Sequence, residues 1–168
     1  MTTPNANSPD SGFSLINKRI CLISAQWHDD IVDELKQSFL NKSAEYGLEN
    51  GCVDTVIVPG SLEIPLQAKL RAKTGLYDAI VVTGLVVDGG IYRHEFVAKS
   101  ILESVMQLQL ELELPIIYAV LTPHHFHDGE VHQQFFSEHF KTKGVETANA
   151  LYQTLRCCAE TAALTQSE

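Results

Sequence analysis

The sequence predicts an α/β fold in three layers, a parallel four-stranded sheet with helices packed on both faces. Two observations carry this. Four short apolar runs, rich in Ile and Val and bounded by turn residues, have the length and composition of strands buried on both sides. Between them lie segments whose apolar residues recur every three or four positions, the period of an amphipathic helix. Strands separated by helices pair in parallel through right-handed crossovers, so the helices cover both faces of the sheet. The chain has 168 residues, of which 45% are hydrophobic and 20% charged, enough for one domain with a full core.

The first strand is Arg19 to Ala25. Ile31, Leu35 and Phe39 follow at a constant spacing, with Asp29, Asp30, Asp33 and Glu34 early and Lys36 and Lys42 late. That order of charge suits a helix dipole, and the helix ends near Gly47. The second strand, Val53 to Val58, is cut by Pro59-Gly60. A helix from Glu63 to Lys73 has Pro65 in its first turn and Gly75 just past its end, the usual asymmetry of helix termini. Ala79 to Thr83 is the third strand, running into Gly84. Val97, Ile101, Val105, Leu108 and Leu112 mark a long helix closed by Pro115. Ile116 to Leu121 is the fourth strand, stopped by Thr122-Pro123, and two separate helical stretches, 129–141 and 144–160, end the pattern.

Twelve Lys and Arg against 21 Asp and Glu give a net charge of −9 with His neutral. A nucleic-acid footprint needs clustered excess cation, so no nucleic-acid partner is expected. No stretch approaches the roughly 18 apolar residues of a membrane span, and Met1 to Ser14 lack the apolar core of an export signal. Cys21, Cys52, Cys157 and Cys158 form no CxxC pair. The first two sit in apolar runs, where a thiol behaves as a small hydrophobe. A reduced, cytoplasmic protein is expected. Its limits are read as a mobile N-terminal tail over 1–15, one domain over 16–160 and a C-terminal tail over 161–168.

Ligands of parallel sheets sit beyond the carboxyl ends of the strands, and the distinctive residues of this chain cluster there. Trp27 is the only Trp and has two readings, a core or rim aromatic and a flat platform for a planar heterocycle. Ser61, Leu62 and Glu63 open a helix. Glu63 either meets the dipole as a cap or, with Ser61, grips the hydroxyls of a polyol. No GxGxxG or GxxxxGK[ST] occurs, which argues against dinucleotides and nucleoside triphosphates. Asp88 to Glu95 carries Gly89 and Gly90, then Arg93 and His94 at the start of the long helix. An Arg–His pair there can hold a phosphate and pass protons, and a solvated helix end is the plainer alternative. His124, His125, His127, His132 and His139 hold five of the seven histidines. Their spacing matches no zinc signature, so no metal is expected; a solvated or interface histidine face and an anion or substrate wall are the open readings.

Taken together, Gln26-Trp27-His28, Pro59 to Pro65, the strand entry Tyr77 to Ile80, the Asp88 to Val97 loop and Lys141 to Glu146 resemble the lumazine synthase family over about residues 20–152. Gly89 to His94 and Leu121 to His127 look like the type II enzymes of the Brucella and rhizobial kind. The resemblance implies a flavodoxin-like sandwich, no metal and no redox cofactor. It implies homopentamers with active sites between neighbouring subunits, and for type II two pentamers stacked as a decamer. The implied substrates are small molecules, 5-amino-6-(D-ribitylamino)uracil and 3,4-dihydroxy-2-butanone 4-phosphate. They would give 6,7-dimethyl-8-ribityllumazine, phosphate and water, the penultimate step of riboflavin biosynthesis.

Carried over position by position, Trp27 matches the aromatic that stacks on the pyrimidine, and Ser61, Leu62 and Glu63 the segment holding the ribityl chain. Leu85, Val86 and Val87 match the strand end lining the ring, and Tyr118 a residue contributed across the subunit boundary. Two departures from the family pattern stand out. Aligned without gaps, Asp88 takes a basic position, Ile91 that of a Thr, and Arg93 that of the catalytic His, with His94 one place later. The family's phosphate-binding Arg has no counterpart, since no Arg lies between Arg93 and Arg156. His132 or His139, helped by Lys143, is the nearest candidate. Arg93 and His94 are therefore the expected catalytic pair. A non-catalytic flavin- or lumazine-binding paralogue, or a shell-forming one, is the alternative function.

Overall fold

The computed structural model describes residues 12–88, 93–123 and 130–165, without the side chains of 130–134. The elements follow in strict alternation: β1 (Ile20–Ala25), α1 (Asp29–Glu45), β2 (Val53–Val58), α2 (Ile64–Ala72), β3 (Ala79–Leu85), α3 (His94–Leu112), β4 (Ile116–Leu121) and α4 (Glu130–Thr165). All four strands pair in parallel in the order β2-β1-β3-β4. Ala25 lies opposite Val58, Ser24 opposite Thr83 and Leu85 opposite Leu121. This is the three-layer, flavodoxin-like arrangement that the strand–helix alternation calls for.

Every residue of β1 and β3 is buried, because both strands are central and covered on both faces. Alternate side chains feed two layers. Cys21, Ile23, Ile80 and Val82 pack with Ile64 and Ala68 of α2 and with Ala98, Ile101, Val105 and Leu108 of α3. Ile20, Leu22, Ala79 and Val81 pack the other way, with Phe39 of α1 and Ala148, Leu151 and Leu155 of α4. The periodic residues of α1 and α3 thus meet the sheet as their spacing requires.

The C-terminal region departs from the sequence expectation. Residues 130–165 form one continuous helix where two stretches, 129–141 and 144–160, are expected. The cause is Gly144. A Cβ there would stand 2.4 Å from the Leu35 carbonyl oxygen, 2.6 Å from Ser38 Cβ and 2.9 Å from Phe39 N. The glycine is therefore a contact point between two helices, and α4 runs straight over α1 through it. Packing also begins ahead of residue 16. Leu15 is fully buried and its N–H donates to the Tyr46 carbonyl at 2.8 Å, while the Tyr152 hydroxyl donates to the Phe13 carbonyl at 3.1 Å. At the other end, residues 157–165 are helical but exposed.

The amino ends of the strands carry a polar network that leaves the opposite end clear for a ligand. Arg19 donates through Nε (3.2 Å) and Nη2 (2.9 Å) to Asp54 Oδ2, and the Tyr77 hydroxyl donates to the same oxygen at 2.8 Å. Lys18 pairs with Asp78 at 3.0 Å. No helix of the described residues is long and apolar enough to cross a membrane.

Candidate active site

The order β2-β1-β3-β4 reverses direction at β1: the chain goes to one side of it for β2 and to the other for β3. Open parallel sheets bind ligands outside the carboxyl ends at such a switch point. Here that place is formed by the residues after Ala25, Val58 and Gly84.

After β1, the Gln26 N–H still donates to the Val58 carbonyl at 2.9 Å, so Trp27 is the first residue released from the sheet. It is 62% exposed. The core reading of Trp27 is thereby removed, and its ring face is available at the sheet end. His28 takes the left-handed conformation (φ 58, ψ 44) and its carbonyl accepts the N–H groups of Ile31 and Val32, which turns the chain sharply into α1.

After β2, Pro59-Gly60 leads into a 3-10 turn over Ser61–Glu63 that feeds α2. Glu63 Oε2 accepts the Gly60 N–H at 2.9 Å. The capping reading of Glu63 is thus observed. An exposed carboxylate has about four acceptor positions, so this one bond leaves room for a hydroxyl. Leu62 points outward, 61% exposed. Ser61 lies against Gly84, where a Cβ would meet Ser61 Oγ at 2.6 Å and Ala25 Cβ at 3.1 Å. Gly84 therefore lets the turn close over the ends of β1 and β3. The expected strand stops at Thr83, short of Gly84, whereas β3 runs on to Leu85; a glycine inside a strand marks a close approach, and its partner is set by the tertiary fold.

The residues at the end of β3 divide. Leu85 is buried with Ile31, Val32 and Leu35 beneath α1, and Val86 is buried on the α2–α3 side, its N–H donating to the Leu121 carbonyl at 2.9 Å. Val87, half-buried, and Asp88, exposed, are what this strand end presents to the surface. Gly89, Gly90, Ile91 and Tyr92 lie outside the described residues.

At the start of α3 the two candidate catalytic residues have different surroundings. Arg93 is exposed in extended conformation, its guanidinium over the Phe96 ring at 5.6 Å from the centroid. His94 is buried, and its Nδ1 lies 4.0 Å from Glu95 Oε2. Tyr118 is not at the strand ends. It sits in mid-β4 opposite Val82, three residues before Leu121 and so about 10 Å down the strand. Burial alone pushes its phenol up to about 12. On α4, His139 is exposed and stacks on Phe135, with centroids 6.3 Å apart, while Lys143 pairs with Glu146 at 2.6 Å. His124, His125 and His127 lie outside the described residues, as does the side chain of His132. Among the described residues no three His, Cys, Asp or Glu gather as a metal would require.

An exposed Trp and a capped turn carrying Ser61 thus stand at the switch point of a parallel sheet, which makes this a three-layer α/β protein with its candidate site at the strand ends. Comparison with known proteins narrows this class. Residues 17–159 match the family model of 6,7-dimethyl-8-ribityllumazine synthase. The chain is 52% identical to 6,7-dimethyl-8-ribityllumazine synthase 2 of Pseudomonas syringae over 83% of its length and 82% of the relative's. It is 48% identical to 6,7-dimethyl-8-ribityllumazine synthase of Rhodococcus erythropolis (83% and 90%) and 50% to 6,7-dimethyl-8-ribityllumazine synthase 2 of Bradyrhizobium diazoefficiens (82% and 82%). The chain belongs to the 6,7-dimethyl-8-ribityllumazine synthase family.

Proposed function

We propose that this protein condenses 5-amino-6-(D-ribitylamino)uracil with 3,4-dihydroxy-2-butanone 4-phosphate to form 6,7-dimethyl-8-ribityllumazine. Membership of the family over nearly the whole chain carries the reading. The uracil's 5-amino group attacks the ketone carbonyl and water leaves to give an imine. Loss of a proton from C3 and of phosphate from C4 then leaves an enol that tautomerises to a new ketone at C3, and the ribitylamine nitrogen closes onto that carbonyl with loss of a second water. No electrons are exchanged with a cofactor in this sequence, so the reaction itself asks for no redox group.

The protein's largest contribution is to hold two reactants in one orientation, which converts a bimolecular encounter into an intramolecular one. Trp27 offers its face to the pyrimidine. Ser61 and Glu63, fixed against Gly84 and Gly60, take the ribityl hydroxyls, with Leu62 beside them. Val87 and the backbone of Leu85 and Val86 bound the ring. Arg93, exposed and always charged, serves the phosphate. His94 moves the proton, a contribution on the order of 10²-fold or more. His132 and His139 are further anion partners on α4. Tyr118 acts across a subunit boundary, in a pentamer of the type II kind stacked as a decamer in the cytoplasm. Residues 16–160 form the working domain, to which Phe13 and Leu15 add packing at the amino end.

The test is turnover with both substrates, followed by lumazine absorbance or fluorescence. Product formed at a rate above the uncatalysed mixture is the expected result. Tight binding of riboflavin or lumazine with no turnover would instead make this chain a binding paralogue.

A further inference from the structure

We infer that Phe96 is a positioning residue, holding the Arg93 guanidinium as a fixed cation for the phosphate of the ketone substrate. The inference rests on the activity proposed above and assigns the phosphate partner within that site.

Phe96 is 65% exposed, so core packing does not explain an aromatic at this position. It lies three residues after Arg93, and its N–H donates to the Arg93 carbonyl at 3.1 Å. That bond closes the first turn of α3 and places positions 93 and 96 on one side of the helix, as i,i+3 neighbours are. The guanidinium then lies over the ring, 5.6 Å from its centroid, within the range of a cation–π contact. Among the described residues Arg93 makes no ion pair, and the nearby Glu95 faces His94 instead. The arrangement leaves the right surface of Arg93 for an anion. The ring takes up one side of the guanidinium, and the N–H donors turned away from it stay available to a phosphate, which a guanidinium binds in a fork. An unstacked Arg on an exposed helix start would sample many rotamers and lose that freedom on binding. The ring reduces this loss beforehand.

The experiment compares the native chain with Phe96→Leu, Phe96→Trp, Arg93→Leu and the double variant, measuring the Michaelis constant for each substrate and competitive inhibition by inorganic phosphate. Phe96→Leu keeps apolar bulk and removes the π face. It is expected to raise the constant for the phosphorylated ketone and the inhibition constant for phosphate about two- to fivefold, with the constant for the ribityl substrate unchanged. Phe96→Trp, with the stronger π face, keeps or tightens both. In the Arg93→Leu background the Phe96→Leu change adds nothing. Equal losses for both substrates, an additive double variant, or unchanged phosphate inhibition in Phe96→Leu would overturn the inference. If Phe96→Leu fails to fold, Phe96→Trp decides alone: weaker phosphate inhibition than in the native chain overturns it, and equal or tighter inhibition upholds it. Absence of turnover in the native chain would instead refute the underlying activity.

Discussion

Ser61 is seated against the bare backbone of Gly84, so close that a Cβ at residue 84 would stand 2.6 Å from Ser61 Oγ. The contact joins the turn after β2 to the end of β3, and the hydroxyl proposed to meet the ribityl chain is placed by it. Gly84→Ala forces that hydroxyl aside. A Ser side chain rotates at little cost, and the 3.1 Å approach to Ala25 Cβ needs only a small shift. The expected stability loss is therefore at most about 1–2 kcal/mol. The loss of one hydrogen bond of roughly 0.5–1.5 kcal/mol raises the Michaelis constant for the ribityl substrate about 2- to 10-fold. Ser61→Ala should show a similar rise, and the double variant no more than either. Additive effects would mean that Gly84 acts elsewhere than through Ser61.

Trp27 is exposed at the sheet end, so its emission in the free protein is that of a solvated indole. Adding lumazine or riboflavin should quench it as the rings stack. Trp27→Ala should weaken ligand binding by roughly 1–3 kcal/mol through lost area and stacking, measured by ultrafiltration or calorimetry. Emission unchanged at saturating ligand would put the ligand elsewhere.

The two residues just discussed differ in how far the sequence disclosed them. Trp27 was marked by its place after a strand that should already have ended. The expected third strand stops short of Gly84, and the partner of Gly84 is more than twenty residues away in the chain, fixed only by the sheet order. The strands Val53–Val58 and Ile116–Leu121 match their expected limits because Pro and Gly punctuate both ends. The long α4 was not legible as one helix, since Gly144 has the same letter whether it stops a helix or lets two helices touch. Adjacent positions on a strand face opposite sides, and the side chains of Leu85 and Val86 enter opposite cores, a division that the match to a ring-lining strand end does not show. Nor does spacing tell Arg93 from His94; the structure separates them by burial.

Gly144 gives a direct test of that reinterpretation. Replacing glycine by alanine in an exposed helix interior is worth about 1 kcal/mol of stabilisation. At Gly144 the added Cβ would meet backbone atoms of Leu35 and Phe39 on α1, which cannot rotate away. Overpacking of that kind costs about 1–3 kcal/mol and should win, lowering Tm by several degrees. Gly51, where a Cβ meets nothing within 4 Å, is the control and should change little. A higher Tm for Gly144→Ala would return the helix junction to an open one.

The proposed placement of Tyr118 in a neighbour's site needs an assembly. Light scattering at working concentration should give a mass that is a multiple of five subunits, since a cyclic arrangement lets every protomer both complete and be completed. A monomer with full turnover would sink this placement and leave the mid-strand Tyr118 a core residue.

Asp54 supplies the pH-dependent prediction. Hydrogen bonds from Arg19 first, and then from the Tyr77 hydroxyl, hold its carboxyl below the ordinary value. A carboxylate whose folded pKa lies below its unfolded one stabilises the fold wherever it is ionised in both states, which is above the usual range near about 4. That stabilisation is lost as pH falls through the lowered folded value. Asp54→Asn should therefore melt a few degrees below the native chain at pH 7, and the gap should hold steady down to about pH 5. Below about pH 4 it should narrow and close. Both side chains are partly exposed, 49% for Arg19 and 36% for Asp54, so the gap at pH 7 should also shrink in 0.5 M salt, about where a Debye length falls well under 10 Å. A gap that widens on acidification, or that persists undiminished to pH 2, would show that Asp54 stabilises the strand ends through shape and not through its charge.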